Sequence, residues 1–141
     1  MEQNKKIIRV VGAAIIRDGK VLVAQRPYSD ASYKSLKWEF PGGKIEGGES
    51  ESDAIRREIK EELGCIIDVD SLLPEMEYEY PDFILRMTIC ICHLSVTSEP
   101  KCLEHNQIGW FGPLLLPVLD WVAADARCYP HIIALLESHG S

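Results

Sequence analysis

The chain has 141 residues, 46% of them hydrophobic, enough for one compact domain over residues 1–141 and too few for a second independent core. Its formal net charge of −7 excludes the basic footprint of a protein that grips duplex nucleic acid, so an anionic substrate needs a cation as intermediary. Five cysteines without CxxC spacing fit a reducing compartment and argue against a disulfide framework.

The first predicted element is the apolar run from Ile7 to Ile16, which Arg9 interrupts and which is too short to span a bilayer. No small-residue cleavage site follows a continuous hydrophobic core, so no signal peptide is expected, and the expected location is cytoplasmic. "RDGK" separates this run from Val21–Gln25 and predicts an antiparallel hairpin. The polar, turn-rich "RPYSDASYKSLK" reads as a surface loop leading to Trp38, Glu39 and Phe40. After "PGG" and a short loop, Ser50–Leu63 reads as a helix. Ser50 or Ser52 is available as N-cap, Glu51 and Asp53 suit the positive end, and Gly64 supplies the C-terminal stop. Ile55, Ile59 and Leu63 give it one buried stripe. Strands are expected at Ile66–Val69, Glu75–Tyr80, Ile84–Ser95 and Ile108–Phe111, with "YPD" as a turn, and a last helix at Tyr129–Ser138. Cys90 and Cys92 share one strand face and read as core. "LLLPVLDW" reads as core more than interface, and the oligomeric state, monomer or homodimer, stays open. Strands without regular βα alternation suggest a mixed sheet covered by helices.

In "REIKEELG", Glu58, Glu61 and Glu62 fall on one helix face, since Glu61 lies roughly 60° to one side of Glu58 and Glu62 roughly 40° to the other. Two unit charges about 5 Å apart cost on the order of 3 kcal/mol at an effective dielectric of 20. Arg57 relieves part of this through its i,i+4 relation to Glu61. A divalent cation would remove the conflict, and carboxylate oxygens without His or Cys suit Mg2+ or Mn2+. Taken alone, the cluster reads first as a solvated acidic face.

The wider segment "GGKIEGGESESDAIRREIKEELGC" resembles the Nudix box, G-x5-E-x7-R-E-U-x-E-E-x-G-U, with Gly43, Glu49, Arg57, Glu58, Ile59, Glu61, Glu62 and Gly64 in register. Only the last position departs, with Cys65 for a bulky aliphatic residue, a change that should affect packing alone. "WEFPGGKIE", "EYEYPD" and "EHNQIGW" extend the resemblance to the MutT-type branch over nearly the whole chain.

The resemblance implies an α/β/α sandwich with a mixed sheet and a loop-helix-loop box that holds Mg2+ or Mn2+. It also implies hydrolysis of a nucleoside diphosphate linked to a further moiety. Glu58, Glu61 and Glu62 would be metal ligands, joined by the Gly42 carbonyl and by Glu104. Glu58 would also accept the proton of the attacking water, and Arg57, with Glu49 as partner, would orient the carboxylates of this catalytic set. Arg26 would contact the nucleotide and Lys44 could neutralise phosphate, although each is equally a solvated cation. Phe40 and Tyr80 would wall the base, or simply be core, and Asp125 would read the base edge, or cap a helix. The branch implies conversion of a nucleoside triphosphate to monophosphate and pyrophosphate, with oxidised purine and cytidine triphosphates both open. Other expectations are activity on NADH, ADP-ribose or dinucleoside polyphosphates, or a silent nucleotide-binding module.

Overall fold

The computed structural model describes residues 5–139. β1 (Lys6–Arg17) and β2 (Lys20–Gln25) form the expected hairpin. Asp18 (φ 53°) and Gly19 (φ 75°) both take the left-handed conformation that a two-residue hairpin turn demands. The hairpin is short, pairing only Ile16 with Val21 and Arg17 with Lys20. Beyond it the strands part. β1 runs parallel to β7 (Phe83–Leu94), while β2 pairs antiparallel with β8 (Gln107–Phe111) and with β3 (Trp38–Glu39). β4 (Gly42–Lys44) adds to β1, and β5 (Ile67–Leu72) and β6 (Met76–Glu79) add to β7, all antiparallel. The result is one mixed sheet of eight strands.

Two stretches depart from expectation. β3 and β4 lie around "PGG", where the sequence pattern showed no paired strand of its own at the glycines. Long-range partners impose this conformation: Trp38 N–H donates to Asp120 O at 2.8 Å, and Val122 N–H donates to Trp38 O at 2.9 Å. A Cβ on Gly42 would lie 2.0 Å from the Val11 carbonyl oxygen, so β4 can approach β1 only with glycine there. β5 also runs on to Leu72, because an irregular register between Val69 and Ser71 lets pairing resume.

α1 (Glu51–Leu63) starts where Ser50 Oγ accepts the Asp53 N–H at 3.1 Å, so Ser50 and not Ser52 is the cap. It ends at Gly64 (φ 59°), whose N–H reaches the Lys60 carbonyl. Ala54, Ile55, Ile59 and Leu63 pack on one sheet face against Val11, Ala13, Ile15 and Leu22. Cys90 and Cys92 join this layer as free thiols, and burial pushes Cys90 up to about 12. The opposite face carries a 3-10 turn (Leu116–Val118), α2 (Ala123–Ala126) and α3 (Tyr129–His139). There Trp121, Cys128, Ile132 and Leu136 pack on Val21, Val23, Met87 and Ile89. Helices on both faces of a mixed sheet make the expected α/β/α sandwich. "LLLPVLDW" is core only in part: Leu116 and Trp121 are buried, whereas Leu114, Leu115 and Val118 are exposed.

Candidate active site

The end of α1, the β3–β4 turn and the loop before β8 meet at an acidic cavity of about 230 Å³, lined by Arg26, Pro27, Glu39, Gly42, Glu62, Glu104 and His105. Beside it opens a cavity of about 220 Å³ walled by Phe40, Tyr80, Phe83 and Leu85, with Tyr33, Lys34 and Asp125 also on its lining. Arg26, Glu39 and Gly42 border both.

The carboxylates of α1 share a side but not an environment. Glu62 is 8% exposed, and burial first, then Glu58, Glu39 and Glu104, push its carboxyl up to about 9. Glu58 is largely covered, its carboxyl resting on the bare Cα of Gly43, where a Cβ would lie 2.5 Å from Glu58 Cδ. Glu61 stands at the solvent edge with its side chain 56% exposed, and lines neither cavity.

Arg57 does more than the expected i,i+4 contact. Its Nε and Nη2 fork onto Glu49 at 2.7 and 2.9 Å, Nη1 donates to Glu58 Oε1 at 2.9 Å, and Nη2 also reaches the Lys44 carbonyl at 3.0 Å. Glu61 and Glu46 each lie 3.6 Å from Nη1. The Arg57 hydrogen bonds hold the Glu49 carboxyl down at about 2, and Glu49 in turn raises the guanidinium. Arg57 lines neither cavity and ties the box loop to the helix through these contacts.

In the second cavity Asp125 is buried, and desolvation first, then the Glu39 charge, raises its carboxyl to about 8. Asp125 Oδ2 accepts the Phe40 N–H at 2.9 Å. Phe40 is itself buried and packs on Trp121, with ring centroids 5.0 Å apart. Tyr80 stacks on Phe83 at 4.9 Å. Arg26 Nη1 donates to Glu39 Oε1 at 3.0 Å on the border of the two cavities. Lys44 is exposed and lines neither cavity; the cations on the lining of the aromatic cavity are Arg26 and Lys34.

Glu39 and His105 complete the acidic cavity and were given no role by sequence reasoning. Glu39 had a signal, a charged residue between two aromatics in a strand-like run; "LEHNQ" offers nothing to set His105 apart from a loop histidine.

Among the described residues no three His, Cys, Asp or Glu side chains are arranged to hold a metal ion. Glu58 turns to Arg57 and Glu61 points outward. The donor chemistry nevertheless fits a hard dication: carboxylate oxygens gather on one side, and Glu62 Oε1 is buried without a hydrogen-bond partner.

A family model described as the NUDIX domain matches residues 6–132. The chain belongs to the Nudix family. It is 37% identical over 114 residues to the CTP pyrophosphohydrolase of Escherichia coli K12, covering 77% of this chain and 78% of that one. It is 39% identical over 126 residues to the 8-oxo-dGTP diphosphatase of Haemophilus influenzae, covering 88% and 90%. Among solved structures, a MutT protein of the Nudix family from methicillin-resistant Staphylococcus aureus 252 superposes with a TM-score of 0.72 at 40% identity, covering 93% of this chain and 98% of that one. The E. coli ORF135 protein gives 0.69 at 33% identity, covering 94% and 88%. The chain is a Nudix hydrolase; Glu58, Glu61 and Glu62 of its box sit on α1, and Glu49 in the loop before it.

Proposed function

We propose that this Nudix hydrolase is a Mg2+-dependent pyrophosphohydrolase that converts a nucleoside triphosphate to its monophosphate and pyrophosphate. One observation carries the reading: an aromatic-walled cavity with a buried Asp125 opens directly beside an acidic cavity, and Arg26 stands on their common border. A nucleotide has the matching anatomy, a flat base joined to a polyanion that needs a cation to enter acidic surroundings.

Glu58, Glu61 and Glu62, with Glu104 and the Gly42 carbonyl, would hold Mg2+, or Mn2+ in its place. When bound, the ion supplies neutralisation of phosphate charge and acidification of the attacking water. Glu58 accepts the proton of that water. Arg57 keeps the Glu58 carboxyl aimed by donating to Oε1 at 2.9 Å. Phe40 and Tyr80 enclose the base, and Arg26 orients the phosphates from its anchor on Glu39.

The Phe40 N–H occupies one Asp125 oxygen, so a base edge meets the carboxyl at the other. With a pKa near 8 the carboxyl is largely protonated at neutral pH and can both donate and accept. That suits oxidised purine and cytidine triphosphates alike, the substrates named for the relatives. Sanitation of the nucleotide pool is the corresponding role, in the cytoplasm. A panel of nucleoside triphosphates with pyrophosphate detection, with and without Mg2+, tests the reading. Strong preference for ADP-ribose, NADH or a dinucleoside polyphosphate over every triphosphate would reject it, and binding without turnover would mark a silent module.

A further inference from the structure

Between the two cavities a chain of polar contacts runs from Arg26 to the helix carboxylates. Arg26 Nη1 donates to Glu39 Oε1 at 3.0 Å, and the other oxygen of Glu39 lies 3.2 Å from His105 Nε2. The same Nε2 is 3.7 Å from Glu62 Oε1, beyond hydrogen-bond reach. An ionised Glu39 only accepts, so the 3.2 Å contact requires that Nε2 carry the proton. The imidazole is 6% exposed and its Nδ1 is buried without a partner, which leaves Nε2 as the ring's polar anchor.

We infer that His105 is a positioning residue for the hydrolysis: its Nε2–H holds Glu39 against Arg26 and so keeps Glu39 away from Glu62 Oε1, leaving that oxygen to a divalent cation. Arg26 would then be aimed by a carboxylate that is itself fixed at both oxygens. Without the imidazole donor, Glu39 Oε2 loses its partner, the carboxylate is free to swing into the acidic cavity, and Arg26 loses its fixed anchor. The effect falls on substrate binding more than on the chemical step, because Glu58 and its Arg57 contact lie outside this chain of contacts. The inference rests on the proposed function for the identity of the ligand and for the divalent cation at Glu62.

The test compares variants by titration calorimetry with a non-hydrolysable α,β-methylene nucleoside triphosphate and Mg2+, alongside kcat and KM. His105→Leu keeps apolar volume and removes the donor. It weakens binding by about tenfold and raises KM accordingly, with a smaller change in kcat. His105→Gln, whose amide can reach Glu39, restores binding to within about threefold of wild type. In a Glu39→Gln background the Leu substitution adds little further loss, because both changes break one contact. Equal binding by His105→Leu and wild type, or additive losses in the double variant, would reduce His105 to packing. Should the Leu variant melt too low to assay, His105→Gln against His105→Asn decides, since the shorter amide falls short of Glu39; equal binding by the two overturns the link. Wild-type protein that binds another nucleoside diphosphate derivative in place of every triphosphate would overturn the proposed substrate, and the same variants are then compared with that ligand.

Discussion

Glu62 and Asp125 are both carboxylates taken out of water, at 8% and 6% exposure, one in each cavity. Desolvation is the first cause of the raised pKa in both, but the second cause differs in kind. Around Glu62 stand Glu58, Glu39 and Glu104, so its proton offsets crowded negative charge. Asp125 feels only Glu39 as an opposing charge and is partly compensated by the Phe40 N–H and by Arg26. Crowding is relieved when a cation arrives; isolation in an apolar pocket is not. A cation bound beside Glu62 would displace that proton, whereas the apolar surroundings of Asp125 favour keeping its own.

The largest expected effect comes from removing, at constant shape, a charge that crowds Glu62 from outside the cavity lining. Glu58→Gln should fold normally, because its carboxyl packs on Gly43 and the amide fills the same space. Turnover should drop by about 100-fold or more. Steady-state pyrophosphate release measures it, and near-normal turnover would remove Glu58 from the mechanism.

Arg57→Lys acts one step further out. Lysine keeps the charge but cannot reproduce the two-pronged contact with Glu49 while also reaching Glu58. The loss expected is about 10- to 100-fold in metal affinity, read as the Mg2+ concentration for half-maximal rate. An unchanged Mg2+ requirement would show that Glu58 needs no help in aiming.

Asp125→Asn sharpens the other half of the comparison. The unfolded carboxyl loses its proton near 3.8, whereas the native one keeps it to about 8. Between those values the native state binds the extra proton, so raising pH removes stability, at up to about 1.4 kcal/mol per pH unit. The amide does not titrate and escapes this slope. Thermal melts from pH 5 to 8.5 should show the variant gaining on wild type as pH rises. Glu62 contributes the same sign to both proteins and cancels in the difference. A constant gap would mean that Asp125 is already ionised at pH 5.

The two sides of the sheet also differ in how far the sequence disclosed them. The α1 side is local: a cap at Ser50, a stripe at Ile55, Ile59 and Leu63 and a stop at Gly64 lie in one continuous segment, and helix periodicity reads them directly. The other side is assembled across long separations. β3 is shaped by Asp120 and Val122, and the aromatic cavity draws on β1, the loop after β2, β7 and α2. No period in the chain announces such contacts. That is why only resemblance points to Phe40, Tyr80 and Asp125, and nothing in the pattern points to His105. The charge pattern of "REIKEELG" shows the ridge, but not that Glu61 stands at its solvent edge or that Arg57 serves four carboxylates.

The smallest effect tests whether the start of α1 belongs to the site or only to the fold. Ser50 Oγ satisfies the Asp53 N–H, one of the donors that a helix leaves open at its first turn. Ser50→Ala should cost about 1 kcal/mol, a shift of roughly 4 °C in melting temperature for a domain of this size. Glu58 and Glu62 lie two and three turns further along, held by Gly43 packing, Arg57 and the buried stripe, none of which involves the cap. Turnover per folded molecule should therefore stay at the wild-type value well below the melting point. A fall in kcat there would mean that fraying at Ser50 reaches Glu49 and loosens the Arg57 fork, which would make the cap part of the catalytic scaffold.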